Sequence, residues 1–212
     1  SASASEIFAG AVKDYNRGIV VGTSSFGKGT VQSLTGLSTG KLKVTSAKFF
    51  RITGESTQKH GIHPDIEYPH IYDTLRIGES SLDGALPYDR TEAAPYDKYP
   101  PIDECIDKLN RSYRKMAEEN SGLIYLKEKY KLAQKRHDIE FLSLNEKERK
   151  AHKARYDELE LEIENRYRKS TGKEKLSAVS DIQEHDEDFF MEPTRFLMAE
   201  FIHMAGEKDY RW

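Results

Sequence analysis

Apolar residues follow two different periods along the chain, and the period changes close to residue 102. Up to residue 69, short apolar runs alternate with glycine-rich turns, which is typical of strands joined to short helices. From residue 102 onward, apolar residues recur every three or four positions, which predicts helices. The stretch between them has neither period and holds four of the seven prolines. We therefore predict an α/β part over residues 1–69, a linker over 70–101 that wraps over it, and a helical domain over 102–212.

The α/β part is predicted to begin with one short helix, over residues 6–16, that ends at Gly18. Its apolar residues Ile7, Phe8, Ala11, Val12 and Tyr15 recur at helical spacing. Residues 19–22 form a continuous run rich in β-branched side chains, which predicts a buried, parallel strand. Residues 30–34 and 41–52 alternate between apolar and polar positions, so both are predicted as strands.

The helical domain is predicted to contain narrow apolar stripes on strongly charged helices. A long helix is expected over residues 145–169, ending at Gly172, and Pro193 is expected to open the last helix. Because the stripes are narrow, these helices must pack on each other or on the α/β part.

Composition excludes several classes of protein and of site. The chain has 212 residues and a net charge of −3, which gives no sign of a nucleic-acid binder. The single cysteine, Cys105, excludes an internal disulfide and a thiolate metal cage. His60 and His63 lie three residues apart in a glycine-containing loop, where a turn explains them better than a metal site does. We predict neither a metal nor a cofactor.

Candidate chemistry rests on Ser3 and Lys28. Ser3 precedes the first predicted helix. Lys28 lies 25 residues after Ser3, between Gly27 and Gly29. A serine hydroxyl becomes a nucleophile when a base takes its proton, and a lysine can be that base when its amine is neutral, a state favoured by a dry pocket. On these residues alone, a flexible helix start and an ordinary glycine-flanked loop explain the pattern better than a catalytic pair.

Two further residues fit a serine–lysine site. The N–H of Ala4, the residue after the serine, points to an oxyanion contact at the positive end of the helix dipole. Gln32 lies four residues beyond Lys28, and on a strand an even offset puts both side chains on the same face. We therefore expect Gln32 to orient the lysine amine.

A phosphate-binding loop competes for the same lysine. Residues 22–28 match the first seven positions of such a loop and follow a predicted strand. The eighth position should be Ser or Thr but is Gly29, and the next segment should be a helix but alternates like a strand. This context favours the serine–lysine interpretation over nucleotide binding.

Three segments together resemble the tail-specific, or carboxy-terminal processing, proteases. They are residues 1–7 (SASASEI), residues 26–32 (FGKGTVQ), and residues 54–66, which end in GIHPDI with Ile62 where the family usually has Val. The first two motifs are highly specific together, and the 25-residue spacing fits. The charged helical remainder is similar to the C-terminal extension of the longer bacterial members.

The resemblance implies a serine endopeptidase with a Ser/Lys dyad on a partial ClpP- or crotonase-like α/β core, followed by a mostly α-helical C-terminal domain. Ser3 would be the nucleophile, Lys28 the general base, Gln32 the residue that positions the lysine, and Ala4 N–H one oxyanion donor. In the family, the second oxyanion glycine and a PDZ domain that binds apolar C-terminal tails lie upstream. The chain starts next to the predicted nucleophile, so we expect it to be the back part of a larger enzyme and inactive alone.

The resemblance also implies partners and a location. Substrates would be polypeptides with exposed C-terminal tails, a lipoprotein adaptor would assist, and the site of action would be the bacterial periplasm. A second hypothesis, from another class, treats residues 102–212 as a non-catalytic interaction module that packs on the protease body or docks an adaptor.

Overall fold

A computed structural model describes residues 1–69, 77–185 and 188–207, with side chains described up to residue 204. The described residues form two compact units. The first consists of Ser1–Tyr68, 77–109 and 203–207, and the second of Pro69 and Asn110–Ile202. The predicted domain limits at residues 69 and 101 stay a prediction, and residues 70–76 of the predicted linker lie outside the described residues.

The first unit is a mixture of helix and strand, so the predicted mixed α/β character is confirmed. Its elements are α1 (Ala4–Asp14), β1 (Val21–Gly22), β2 (Thr30–Gly36), β3 (Lys41–Lys48) and β4 (Ile66–Glu67). Strands β1 and β4 pair in parallel, while β2 and β3 form an antiparallel hairpin. The strand predicted over residues 19–22 is therefore parallel as expected, although it is shorter and half-buried. The strand predicted to reach residue 52 ends at Lys48.

Helix α1 buries a polar face. The exposed fractions of Ile7 and Phe8 are 49% and 73%, and Glu6, Gly10 and Asp14 are the buried residues of this helix. The three buried residues follow one another at a spacing of four, so they form a single stripe that faces the rest of the unit.

A buried polar stripe requires partners for its charges, and both carboxylates of α1 have them. Asp14 accepts hydrogen bonds from the guanidinium of Arg51, with 3.0 Å between Nε and Oδ2. A Cβ atom on Gly10 would lie 3.3 Å from the side chain of Ile62, so the small residue lets the helix approach closely. Side-chain pairing, rather than apolar burial, thus decides which way this helix faces.

Residues 77–101 belong to the first unit, and we call them the strap. The N–H of Thr91 donates to the carbonyl of Gly54 at 2.8 Å, and the N–H of Tyr99 donates to that of Tyr15 at 3.0 Å. Gly54 has a φ of +81°, and a Cβ atom there would lie 2.2 Å from the carbonyl oxygen of Thr91. The close contact between strap and turn therefore requires glycine at this position.

Within the described residues, four α-helices follow the strap, and the helices predicted over residues 145–169 and from Pro193 are among them. They are α2 (Asp103–Glu119), α3 (Ser121–His137), α4 (Glu146–Ser170) and α5 (Met191–Glu207). Helix α2 crosses the border between the two units, and the other three belong mainly to the second. The core of the second unit is a cluster of Tyr125, Leu126, Ile163 and Tyr167.

A buried carboxylate lies beside this core. Glu164 is 2% exposed, and its Oε2 accepts a hydrogen bond from the hydroxyl of Tyr125 at 2.9 Å. Nε2 of His185 lies 3.1 Å from the same oxygen. Burial, and then the hydrogen bond to Glu164, raise the pKa of the Tyr125 hydroxyl well above its usual range.

We predict that Tyr125→Phe lowers the free energy of unfolding by about 1–3 kcal/mol near neutral pH, because the buried carboxylate loses a donor. Since the pKa is higher in the folded than in the unfolded protein, the wild type keeps this stability below about pH 10 and loses it as the pH rises further. Denaturant unfolding between neutral and alkaline pH measures both effects.

Tyr156→Phe is the matched control, because the Tyr156 hydroxyl only contacts the exposed carbonyl of Lys135, at 3.3 Å. Equal losses in the two variants, or an alkaline decline that persists unchanged in Tyr125→Phe, would contradict the assignment.

Candidate active site

Ser3 holds an unusual backbone conformation immediately before α1. Its φ is 59° and its ψ is −115°, a combination that a residue with a side chain rarely adopts. Strain of this kind persists only where the surrounding structure imposes it, and it is concentrated at functional sites. A sharp, strained turn into a helix is also how hydrolases expose a nucleophilic serine.

Ala4 begins α1, so its N–H belongs to the first turn of the helix. The first four N–H groups of a helix have no acceptor within the helix, and they form its positive end. The predicted oxyanion donor is therefore placed where an N–H group can stabilise negative charge that develops next to Ser3.

The carboxylate of Glu6 joins the serine turn to the lysine loop. Glu6 is 1% exposed, and its Oε2 accepts hydrogen bonds from the N–H of Ser3 at 2.6 Å and from the N–H of Lys28 at 3.0 Å. Its Oε1 accepts from the N–H of Gly27 at 2.7 Å and from the hydroxyl of Ser25. The Glu6 side chain thus fixes the backbone at both residues of the predicted dyad.

The glycines beside Lys28 are required by close packing. Gly27 has a φ of +89°, and a Cβ atom there would lie 3.0 Å from the backbone of Lys59. A Cβ atom on Gly29 would lie 2.8 Å from the N atom of Gln58 and 2.8 Å from Oγ of Ser56. Neither distance accommodates a side chain, so the lysine loop is glycine-flanked because it lies flat on residues 56–61.

The Lys28 side chain is half-buried, and its amine is hydrogen-bonded within its own segment. Its Nζ donates to the carbonyl of Thr30 at 3.3 Å. Both catalytic candidates are among the described residues, and the structure forms no hydrogen bond between their side chains. Glu6 therefore connects the backbone of Ser3 to that of Lys28, while the Lys28 amine is hydrogen-bonded to Thr30.

Gln32 does not share a strand face with Lys28. Strand β2 begins at Thr30, after the lysine, and its register shifts between Val31 and Gln32. The argument from an even offset along one strand was therefore wrong. The Gln32 amide lies 3.5 Å from the hydroxyl of Thr45, across the hairpin. The role of Gln32 in positioning the lysine stays a prediction.

The alternatives for this region meet specific obstacles. A phosphate-binding loop needs a helix after its lysine, and here strand β2 follows. The ring of His60 stacks on Tyr88 at 4.3 Å, and Nδ1 of His63 lies 2.9 Å from the hydroxyl of Ser24. Across the described part of the chain, no group of three or more His, Cys, Asp or Glu side chains is placed to hold a metal ion.

Two residues of the site escaped the sequence interpretation. Glu6 stands three residues after Ser3, the spacing of a capping box, so its bond to the Ser3 N–H could have been anticipated. Gln58 is fully buried, and its Oε1 accepts from the N–H of Gly29 at 2.9 Å. No local signal identifies that contact, because it joins residues 29 positions apart.

A strained serine at a helix start, with a lysine loop bonded to the same helix, is the arrangement expected of the class of serine hydrolases. Comparison with known families makes the class specific. Residues 1–68 match the model of peptidase family S41, and residues 72–201 match that of the C-terminal domain of tail specific protease. The chain belongs to the tail-specific protease family.

Curated relatives carry names that agree with this assignment. The tail-specific protease of Haemophilus influenzae is 37% identical over 216 residues, which cover 95% of this chain and 31% of the relative. The carboxy-terminal-processing protease of Bartonella bacilliformis is 44% identical over 93 residues, covering 41% of this chain and 21% of the relative. The chain thus spans less than a third of the length of these relatives.

We predict that Glu6→Ala destabilises the first unit by at least about 3 kcal/mol, because four donors lose a buried acceptor and hydrogen bonds to charged groups contribute about 1.5–3 kcal/mol each. Thermal and denaturant unfolding of the 212-residue chain measure the loss. Asp83→Ala removes an exposed carboxylate from the same unit and is expected to change stability little. Equal stability of the two variants would show that Glu6 does not hold the site.

Proposed function

We propose that the whole protein is a serine endopeptidase that cleaves polypeptides selected by their C-terminal tails, with Ser3 and Lys28 as its catalytic dyad. Membership of the tail-specific protease family supports the activity. The observation that carries the assignment of residues is the Glu6 carboxylate, which bonds the backbone of Ser3 and of Lys28 at once. The core would be ClpP- or crotonase-like, a point supported by the family resemblance.

The proposed reaction is acyl transfer in two steps. Lys28, with a neutral amine, takes the hydroxyl proton as Ser3 Oγ attacks the scissile carbonyl, and it then gives that proton to the leaving amine. The acyl-enzyme is resolved when Lys28 takes a proton from water, the hydroxide attacks the ester, and the proton returns to Ser3. Ala4 N–H stabilises the oxyanion in both steps. In the family resemblance, a second oxyanion donor comes from an upstream glycine.

The lysine amine must change partner before it can act. In the described structure it donates to Thr30, so the proposal requires it to exchange this bond for one with Ser3 Oγ. Catalytic hydrogen bonds often tighten only when substrate is bound, so the observed arrangement is compatible with the dyad. Gln32 would hold the amine in its catalytic position.

We also propose that the protein acts in the bacterial periplasm, on substrates whose apolar tails bind a PDZ domain upstream of this chain. The support is the family resemblance. Of the helices in the described residues, none combines the length and the apolar character that crossing a membrane requires.

The dyad predicts the outcome of three substitutions in a full-length protease that carries this chain. Ser3→Ala and Lys28→Ala should each reduce cleavage of an unstructured reporter with an apolar tail by about 10⁴-fold or more, because members of a catalytic unit act together. Gln32→Ala should reduce it less, because it only orients the base. Initial rates measure the effect, and circular dichroism checks the fold.

A rate that survives Lys28→Ala would remove the lysine from the mechanism, and a rate that survives all three substitutions would end the protease assignment. The 212-residue chain alone is predicted to be inactive, because it spans less than a third of the length of the curated relatives it matches. Turnover by this chain comparable to that of the full-length enzyme would contradict that prediction.

A docking role for the helical part is the second candidate function. The observation in its favour is the loop between α3 and α4, where Phe141, Leu142 and Leu144 are 88%, 52% and 97% exposed. Replacing all three by Asp in the full-length enzyme should weaken capture by a lipoprotein adaptor while reporter cleavage without adaptor stays intact. Unchanged adaptor binding would exclude this loop as the docking site.

A further inference from the structure

The side chain of Gln58 makes three hydrogen bonds that leave its amide one orientation. Its exposed fraction is 0%. Its Oε1 accepts from the N–H of Gly29 at 2.9 Å, while its Nε2 donates to Oε1 of Glu79 and to the carbonyl of Leu86, both at 3.0 Å. In a flipped amide, the NH2 group would face the N–H of Gly29, and the oxygen would face two acceptors. The three hydrogen bonds therefore fix the orientation of the Gln58 amide.

We propose that Gln58 and Glu79 are positioning residues for the lysine base, and that the strap thereby supports the active site. This inference rests on the proposed dyad of Ser3 and Lys28. Neither Gln58 nor Glu79 touches the reacting atoms. They act on the backbone that carries Lys28.

Backbone contacts place the same segments against the lysine loop. The N–H of Glu79 donates to the carbonyl of Phe26 at 2.8 Å, and the N–H of Lys59 donates to the carbonyl of Gly27 at 2.8 Å. The loop is therefore bonded at Phe26, Gly27 and Gly29 by residues that come later in the chain. Because Gly27 and Gly29 carry no side chain, these backbone contacts, together with those to Glu6, hold the loop in place.

The network crosses the border between the two family models. Gln58 and the lysine loop fall within the peptidase match over residues 1–68, whereas Glu79 and Leu86 fall within the C-terminal-domain match over 72–201. All of them belong to the first compact unit. The start of the C-terminal domain, as the family model defines it, is therefore part of the structure that holds the catalytic lysine.

Burial makes this network sensitive to substitution. Glu79 is 8% exposed, and removing its acceptor leaves a buried amide donor of Gln58 without a partner. The Gln58 side chain must then move, which releases the Gly29 N–H and with it the loop. A displacement of the base by about 1 Å can cost about 100-fold in rate.

The test compares Glu79→Leu, which removes the acceptor, with Glu79→Gln, which keeps an oxygen for the Gln58 amide. Arg90→Ala is the matched control on the same strap, because its guanidinium is 65% exposed and lies 3.7 Å from Glu55. The enzyme is a full-length protease that carries this chain. The readouts are kcat and KM for an apolar-tailed reporter, and active-site titration with a fluorophosphonate that labels Ser3.

We expect Glu79→Leu to lower kcat per titrated site by about 10- to 100-fold with little change in KM. Glu79→Gln should restore most of the rate, and Arg90→Ala should match the wild type. A loss of titratable sites with kcat per site unchanged, or equal behaviour of Glu79→Leu and Arg90→Ala, would overturn the proposal.

Amide hydrogen exchange in the 212-residue chain gives a readout independent of activity. Glu79→Leu should speed exchange of the Gly29 N–H, bonded to Gln58, more than that of the Gly27 N–H, bonded to Glu6. Equal protection of Gly29 in variant and wild type would also overturn the proposal. A wrong assignment of the dyad is recognised separately, because Ser3→Ala and Lys28→Ala would then keep activity, whatever the effect of substituting Glu79.

Discussion

The first unit depends on a buried carboxylate, that of Glu6. Its two oxygens accept four hydrogen bonds, from the serine turn and from the lysine loop. A buried charge is tolerated only when it is fully paired, so the backbone around it has little freedom. This requirement explains why α1 buries its polar stripe, why Ser3 can be held at a positive φ, and why the lysine loop ends next to the serine.

The site is also held from outside the segments that carry its chemistry. The lysine loop lies flat on residues 56–61, and the strap adds contacts through Glu79 and Gln58. These segments are far apart in sequence, and their contacts are backbone hydrogen bonds and close approaches of glycine. Catalytic groups must be held to within fractions of an ångström, which such contacts achieve better than exposed side chains do.

The sequence predicted elements well where one physical signal dominated. Apolar periodicity located the helices, and a β-branched run identified the parallel strand. It did not indicate which face of α1 is buried, because Ile7 and Phe8 are exposed while pairing of Glu6 and Asp14 decides the orientation. It also failed on the geometry of Gln32, since a bulge shifts the register of β2. The contacts of Gln58 could not be predicted, because its partners are distant in sequence and only the fold brings them together.

The most direct test of the central claim is a crystal structure of a full-length protease carrying this chain, after reaction with a phosphonate inhibitor. The account predicts phosphorus bonded to Ser3 Oγ, the Ala4 N–H directed at the phosphoryl oxygen, and the Lys28 amine moved from Thr30 to within about 3 Å of Oγ. The Glu6 carboxylate should still accept from both backbone segments. Phosphorus on another residue, or a Lys28 amine still bonded to Thr30, would contradict the account.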